Sequence, residues 1–256
     1  MNSKFILLLK PAIVFTITVA VTGFFVVLPR PRVPVYGRPD AMARSFIMWL
    51  HGLGDSGPAN EHIKNLFNAP EFKTTKWSFP SAPNTPVTCN NGAAMPSWFD
   101  IQEIPVTASS PKDESGVLKA VQNVHTMIDK VVTAGTNPKD IFVCGFSQGG
   151  ALTLASVLLY PRTLGGGAVF SGWVPFNDSI LEQLAPESKM TPILWSHGMA
   201  DTTVLFEAGQ AGPPFLERAG MSCLPGTRPF NNPGRVAPLG ILDQDSAAEL
   251  FLNAPP

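Results

Sequence analysis

The chain has 256 residues, a formal net charge of −1 and only 14% charged side chains. That length buries a real core in one α/β domain and leaves room for an N-terminal extension. The balanced charge, with no basic stripe and no interleaving of basic and aromatic residues, argues against a nucleic-acid partner.

Residues 1–41 read as a hydrophobic segment and a linker. Pro11 to Leu28 carries no charge and is rich in Val, Ile, Phe and Ala. About 17–25 apolar residues span a bilayer as a helix, so the stretch is just long enough for a membrane anchor. A signal peptide is the rival reading, but no good A-x-A cleavage site follows the apolar run. A third reading places the segment outside the usual product, because Met42 directly precedes the domain and could serve as a start. Arg30, Arg32 and Arg38 on the C-terminal flank favour a cytoplasmic domain, although Lys4 and Lys10 pull the other way. Pro29 to Pro39 is a proline-stiffened linker.

Ser45 to Leu50 is a continuous apolar run that predicts a buried strand, ending in the glycine-dense His51-Gly-Leu-Gly-Asp-Ser-Gly57. A helix is expected near Asn60 to Phe67, a short strand over Lys76 to Phe79, and a loop over Pro80 to Gly92. Ser110-Pro111 offers an N-cap followed by proline at the first helical position. From there Val117, Val121, Val124, Ile128 and Val131 recur at three- and four-residue steps, predicting an amphipathic helix closed by Gly135. Strands are expected at Ile141 to Gly145, Ala168 to Ser171 and Pro192 to Ser196. Helices are expected over Gly149 to Tyr160 and Phe206 to Ala219. This alternation implies a largely parallel sheet covered on both faces.

Gly145-Phe-Ser-Gln-Gly149 lies between a predicted strand and a predicted helix, with Gly150 and Ala151 following. Alone, G-x-S-x-G is a weak pattern; in this context it reads as a nucleophile elbow. The turn needs glycines beside Ser147 and sets backbone N–H groups where an oxyanion would form. A serine nucleophile also needs a base, usually a histidine steered by a carboxylate. Asp201, just past a predicted strand, is the candidate carboxylate; its bland alternative is a turn or N-cap aspartate. All four histidines (His51, His62, His125, His197) precede Asp201. This fold's chain order is Ser, Asp, His. His51 and His197 shape loops at strand ends more readily than they act as substitute bases, and His62 and His125 read as surface or packing residues.

The three cysteines, Cys89, Cys144 and Cys223, cannot all pair and read as reduced structural thiols. Neither H-E-x-x-H nor C-x-x-C occurs, so no metal or other cofactor is expected.

His51 to Gly57, Pro96-Ser-Trp-Phe-Asp100, Gly145 to Gly149, Gly165-Gly-Gly-Ala-Val-Phe-Ser-Gly172 and His197-Gly-Met-Ala-Asp201 together resemble the acyl-protein thioesterase/carboxylesterase family, especially its plant members. The resemblance runs from Ser45 to Cys223, within a domain read as 42–223. It implies an α/β-hydrolase with a mostly parallel central sheet and helices on both faces. Ser147 would be the nucleophile, Asp201 the histidine-orienting carboxylate, and the N–H groups of Leu53 and Gln148 the oxyanion hole. It also implies a lining role at the acyl site for Trp98, whose alternative is plain core packing. The implied substrates are S-acylated (palmitoylated) proteins and short carboxylic or lysophospholipid esters.

After Cys223 the resemblance stops. Residues 224–256 are Pro/Gly-rich and contain no histidine, where the family carries a last strand, a Tyr-Pro-Gly-Leu-Gly-His-Ser-type loop and a closing helix. Codons permitted for Leu224 to Asn231, read one base later, spell Tyr-Pro-Gly-Leu-Gly-His-Ser-Ile. Gly234 to Val236 likewise spell Glu-Glu-Leu, and Leu239 to Gln244 spell Leu-Glu-Ser-Trp-Ile-Lys. A match sustained in family order points to a slipped reading frame after Cys223, with the last strand and helix expected to be lost; the chain then reads as an impaired hydrolase, with an inactive relative that binds or an unstable splice or gene-model product as the alternatives.

Overall fold

Residues 45–67 and 70–225 are described by the structure, a computed structural model. The apolar segment 11–28, the linker and the tail beyond Pro225 lie outside the described residues. No helix among the described residues is long and apolar enough to cross a membrane.

Among the described residues eight strands form in chain order: β1 (Phe46–Leu50), β2 (Lys76–Ser78), β3 (Asn84–Val87), β4 (Ala93–Pro96), β5 (Ile141–Phe146), β6 (Gly166–Phe170), β7 (Ile193–Ser196) and β8 (Cys223–Pro225). Five helices accompany them: α1 (Gly57–Asn60), α2 (Glu114–Thr133), α3 (Gln148–Leu159), α4 (Phe206–Gln210) and α5 (Gly212–Arg218). Six strands make one sheet in the order β2-β1-β5-β6-β7-β8. Every neighbouring pair in it runs parallel. All its strands therefore end at one common edge, where ligand sites of open α/β sheets assemble.

Strand alternation divides the core into two layers. Met48, Leu50, Val143, Val169, Ile193 and Trp195 pack with α2 and α3. Ile47, Trp49, Phe142, Cys144, Ala168, Phe170 and Leu194 pack with Ile63, Phe67 and Phe72 on the opposite face. That second face is covered by α1 and short 3₁₀ turns at Glu61–Leu66 and Pro70–Phe72. The helix expected over Asn60 to Phe67 is thus a four-residue α-turn continuing into 3₁₀ geometry. From Gln148 to Leu158, α3 is buried at every position, wedged between the sheet and α2.

Several expectations need correcting. The loop expected over Pro80 to Gly92 contains β3, which pairs antiparallel with β4 in a separate hairpin. The N-cap of α2 is Asp113, not Ser110: its carboxylate accepts from Gly116 N–H at 2.9 Å and from Asp100 N–H at 3.1 Å. A carboxylate three residues before a glycine satisfies an orphan N–H of the first turn more directly than the Ser-Pro pair upstream. The single helix expected over Phe206 to Ala219 is two, meeting at Ala211 before Pro213-Pro214. The outer strand expected to be lost does begin, since β8 pairs with β7 from Cys223 to Pro225. All three thiols are free, and burial pushes that of Cys144 up to about 12.

Candidate active site

Ser147 joins β5 to α3 with φ 54° and ψ −119°, a region a non-glycine residue occupies only when its surroundings enforce it. They enforce it through glycines. A Cβ on Gly145 would sit 2.3 Å from the Gly149 carbonyl oxygen, and one on Gly149 2.0 Å from that of Leu50. On the other side, a Cβ on Gly172 would lie 2.9 Å from the backbone of Gly150. The first turn of α3 is therefore clamped between the ends of β1 and β6. The Ser147 amide donates to Phe170 O at 2.9 Å, tying the elbow to β6.

The loop after β1 lies against this turn. A Cβ on Gly52 would stand 3.5 Å from that of Ser147. Leu53 N–H makes no hydrogen bond among the described residues. The first N–H groups of a helix, Gln148 among them, likewise have no intrahelical acceptor. Both amides are thus available beside the elbow. The loop is braced from within: Asp55 accepts from Asn60 Nδ2 at 2.7 Å, and Asn60 accepts from Trp49 Nε1 at 3.0 Å. Gly54, at φ +77°, donates to Pro96 O at 2.8 Å, holding the loop to β4.

Gln148 is fully buried and its side chain is saturated. Oε1 accepts from Trp98 N–H at 3.1 Å, while Nε2 donates to Ser97 Oγ at 2.9 Å and Phe99 O at 2.6 Å. Sequence reasoning valued this residue for its amide; its side chain also anchors the 97–99 segment. Trp98 is 8% exposed, donates Nε1–H to His51 O at 2.8 Å, and packs on the His51 ring at 5.0 Å. It braces the loop after β1 at His51.

None of the four histidines bonds to Ser147. His51 is wholly buried; its Nδ1–H donates to Gly52 O at 2.7 Å and its Nε2 accepts from Ala82 N–H at 3.0 Å. Those partners fix a neutral tautomer with both nitrogens committed. His62 Nδ1–H donates to Ala59 O, and His125 Nε2–H to Ser156 O at 2.8 Å. His197 Nε2–H donates to Val204 O at 2.9 Å, and its buried Nδ1, without a partner, faces Gly209.

Asp201 lies in the turn after β7, 9% exposed. One oxygen accepts from Thr203 and Val204 N–H groups, each at 2.9 Å, and the other lies 3.8 Å from His197 Nε2. The turn is also stitched to the segment before α2. Val106 N–H donates to Thr203 O at 2.8 Å and Leu205 N–H to Val106 O at 2.9 Å. Nothing local in the sequence signals this long-range bridge. β5, β6 and β7 are adjacent and parallel, so the serine and the aspartate occupy the same sheet edge two strands apart. Among the described residues no cluster of His, Cys, Asp and Glu could hold a metal ion.

A parallel sheet with a strained serine between strand and helix, open amides beside it and a carboxylate at the same edge defines an α/β-hydrolase. The phospholipase/carboxylesterase family matches residues 34–226, and the chain belongs to that family. It is 73% identical over 183 residues to a probable carboxylesterase of Oryza sativa subsp. japonica, covering 72% of this chain and 69% of that protein. It is 36% identical over 198 residues to acyl-protein thioesterase 1 of Cryptococcus neoformans, covering 77% and 83%. The crystal structure of SOBER1 from Arabidopsis thaliana is 64% identical with a TM-score of 0.70, covering 72% of this chain and 89% of that one.

Proposed function

We propose that this protein is a serine hydrolase of acyl thioesters and esters whose turnover is held back by the missing histidine. Ser147 Oγ adds to the acyl carbonyl, and the Leu53 and Gln148 amides hold the oxyanion. The C–S or C–O bond then breaks, the leaving group departs with a proton, and water hydrolyses the acyl-serine. Asp201 is the carboxylate that would orient the base. The observation that carries this reading is the Ser147 backbone, held at φ 54° with Gly52 of the loop after β1 packed beside it.

No histidine follows Asp201, and those that precede it are bonded elsewhere. Loss of one triad member leaves only binding and oxyanion stabilisation, a drop of about 10⁴-fold or more. The substrates that fit the family are S-acylated proteins and small acyl esters. Residues 11–28 would bring the domain to a membrane from its cytoplasmic side. A fluorophosphonate probe tests the nucleophile: slow labelling that disappears in Ser147→Ala supports it, and equal labelling of that variant refutes it. Fractionation with and without residues 1–41 tests the membrane role.

A second reading, a catalytically silent binder of acylated proteins, is favoured by the absent base alone. A lipid-like ligand that raises the melting temperature of unlabelled, inactive protein would select it.

A further inference from the structure

Three non-glycine positions among the described residues hold a positive φ: Asn91, Ser147 and Ser171. Asn91 closes a short 3₁₀ turn, where asparagine tolerates the left-handed region well. Ser171, at φ 47°, follows β6 directly and is 3% exposed. A serine holds that conformation only where its surroundings over-determine it. It stands beside the nucleophile. Phe146 pairs with Phe170, and Phe170 with Ser196, in parallel register. The ladder continues one step further on each side: Ser147 N–H donates to Phe170 O and Ser171 N–H to Ser196 O, both at 2.9 Å. Two left-handed serines therefore end two adjacent strands.

The contacts on either side of Ser171 show what its bend does. Phe170 O takes the Ser147 amide, and a Cβ on Gly150 would stand 3.0 Å from the same oxygen. That Cβ would also lie 3.3 Å from Gly172 Cα, and a Cβ on Gly172 would meet Gly150 C at 2.9 Å and Ala151 N at 3.0 Å. Phe170 and Gly172 thus grip the first turn of α3 together, with Ser171 as the link between them. A strand rises about 3.3 Å per residue, so an extended Ser171 would carry Gly172 onward and off the helix. The Ser171 hydroxyl makes no hydrogen bond among the described residues, so its own side chain does not hold the bend.

We propose that Ser171 is a positioning residue for the nucleophile: its left-handed backbone, independent of its hydroxyl, holds the first turn of α3 against β6 and so keeps Ser147 at φ 54°. This role rests on the reading of Ser147 as the nucleophile. The two bends are coupled through the Ser147–Phe170 hydrogen bond and the Gly150–Gly172 contact, so relaxing one releases the other. Ser171 needs no contact with the acyl group to matter, since a misplacement of about 1 Å at a reacting atom costs up to about 10²-fold in rate.

The test reads two quantities in the full chain, well below each variant's melting temperature: the rate of fluorophosphonate labelling, and hydrogen exchange of the Ser147 amide by NMR. Glycine adopts the left-handed region freely and alanine adds no bulk, so Ser171→Gly and Ser171→Ala should label within about twofold of the parent. Ser171→Thr keeps the hydroxyl, but its β-branch disfavours the bend. It should label about tenfold more slowly or worse, with Ser147 exchange at least about tenfold faster and β1 amides unchanged. Should that variant not fold, Gly172→Ala strikes the same contact from the other side and should give both effects. Slow labelling in both Ser171→Gly and Ser171→Ala would assign the role to the hydroxyl and overturn the proposal. Parent-like labelling and exchange in folded Ser171→Thr or Gly172→Ala would overturn it as well. A parent that does not label, or labels no faster than Ser147→Ala, defeats the hydrolase reading instead, and the exchange rates then decide the role of the bend.

Discussion

Gln148 serves the site with two different parts of itself. Its amide opens the first turn of α3, where it would serve the proposed oxyanion hole, while its carboxamide satisfies Trp98 N–H, Ser97 Oγ and Phe99 O. Gln148→Leu keeps the amide and strands the buried Trp98 donor. A loss of about 1–3 kcal/mol in urea unfolding is expected, since one unsatisfied buried group costs that much. The absent base makes a different prediction. Exogenous imidazole should raise thioester cleavage several-fold in the parent and not at all in Ser147→Ala, because a small diffusible base partly replaces a missing side chain. The strained turn at Ser147 was readable from the sequence, because it rests on a local glycine pattern between strand and helix. The commitments of His51 and His197 were not. The partners of His51 and His197, Ala82 and Val204, are 31 and 7 residues away, and only the fold brings them to the rings.

At the scale of elements, periodicity located α2, α3 and the inner strands to within a few residues, since a buried face imposes a repeat on the sequence. It failed where local chemistry, not burial, decides. The β3–β4 hairpin is built from Pro- and Asn-rich segments with exposed positions and carries no apolar alternation. The packing of α3 makes a sharp prediction: Gly149→Ala drives a methyl into the carbonyl oxygens of Leu50 and His51, 2.0 and 2.6 Å away. Both belong to backbone that cannot rotate aside. Destabilisation should reach or exceed the roughly 1–3 kcal/mol typical of overpacking, measured by denaturant unfolding.

The contact between α2 and α3 also responds to pH. His125 bonds to Ser156 O and meets the Tyr160 ring edge-on at 5.1 Å, and burial lowers its pKa from 6.5. The ring is thus harder to protonate in the folded state than in the unfolded chain. Its contribution to stability is complete above pH 6.5 and declines as pH falls through the lowered folded value. The melting temperature of the parent should fall more steeply between pH 7 and 5 than that of His125→Gln. Identical slopes would refute the assignment.

For the whole molecule, two core layers cover the two faces of one parallel sheet among the described residues. The slipped frame has its own direct test, sequencing of the transcript across Cys223. An intact in-frame message with no shifted copy of the histidine loop would refute it. Among the described residues β8 is the last strand of the sheet and pairs with β7 alone, which bears on repair. A homologous ending spliced on after Cys223 would therefore register against β7. Such a chimera should recover hydrolysis by about 10⁴-fold, the amount one triad member is worth. Evolution and the protein engineer would meet the same circumstance here: among the described residues, the margin at which an ending is exchanged rests on one strand pair.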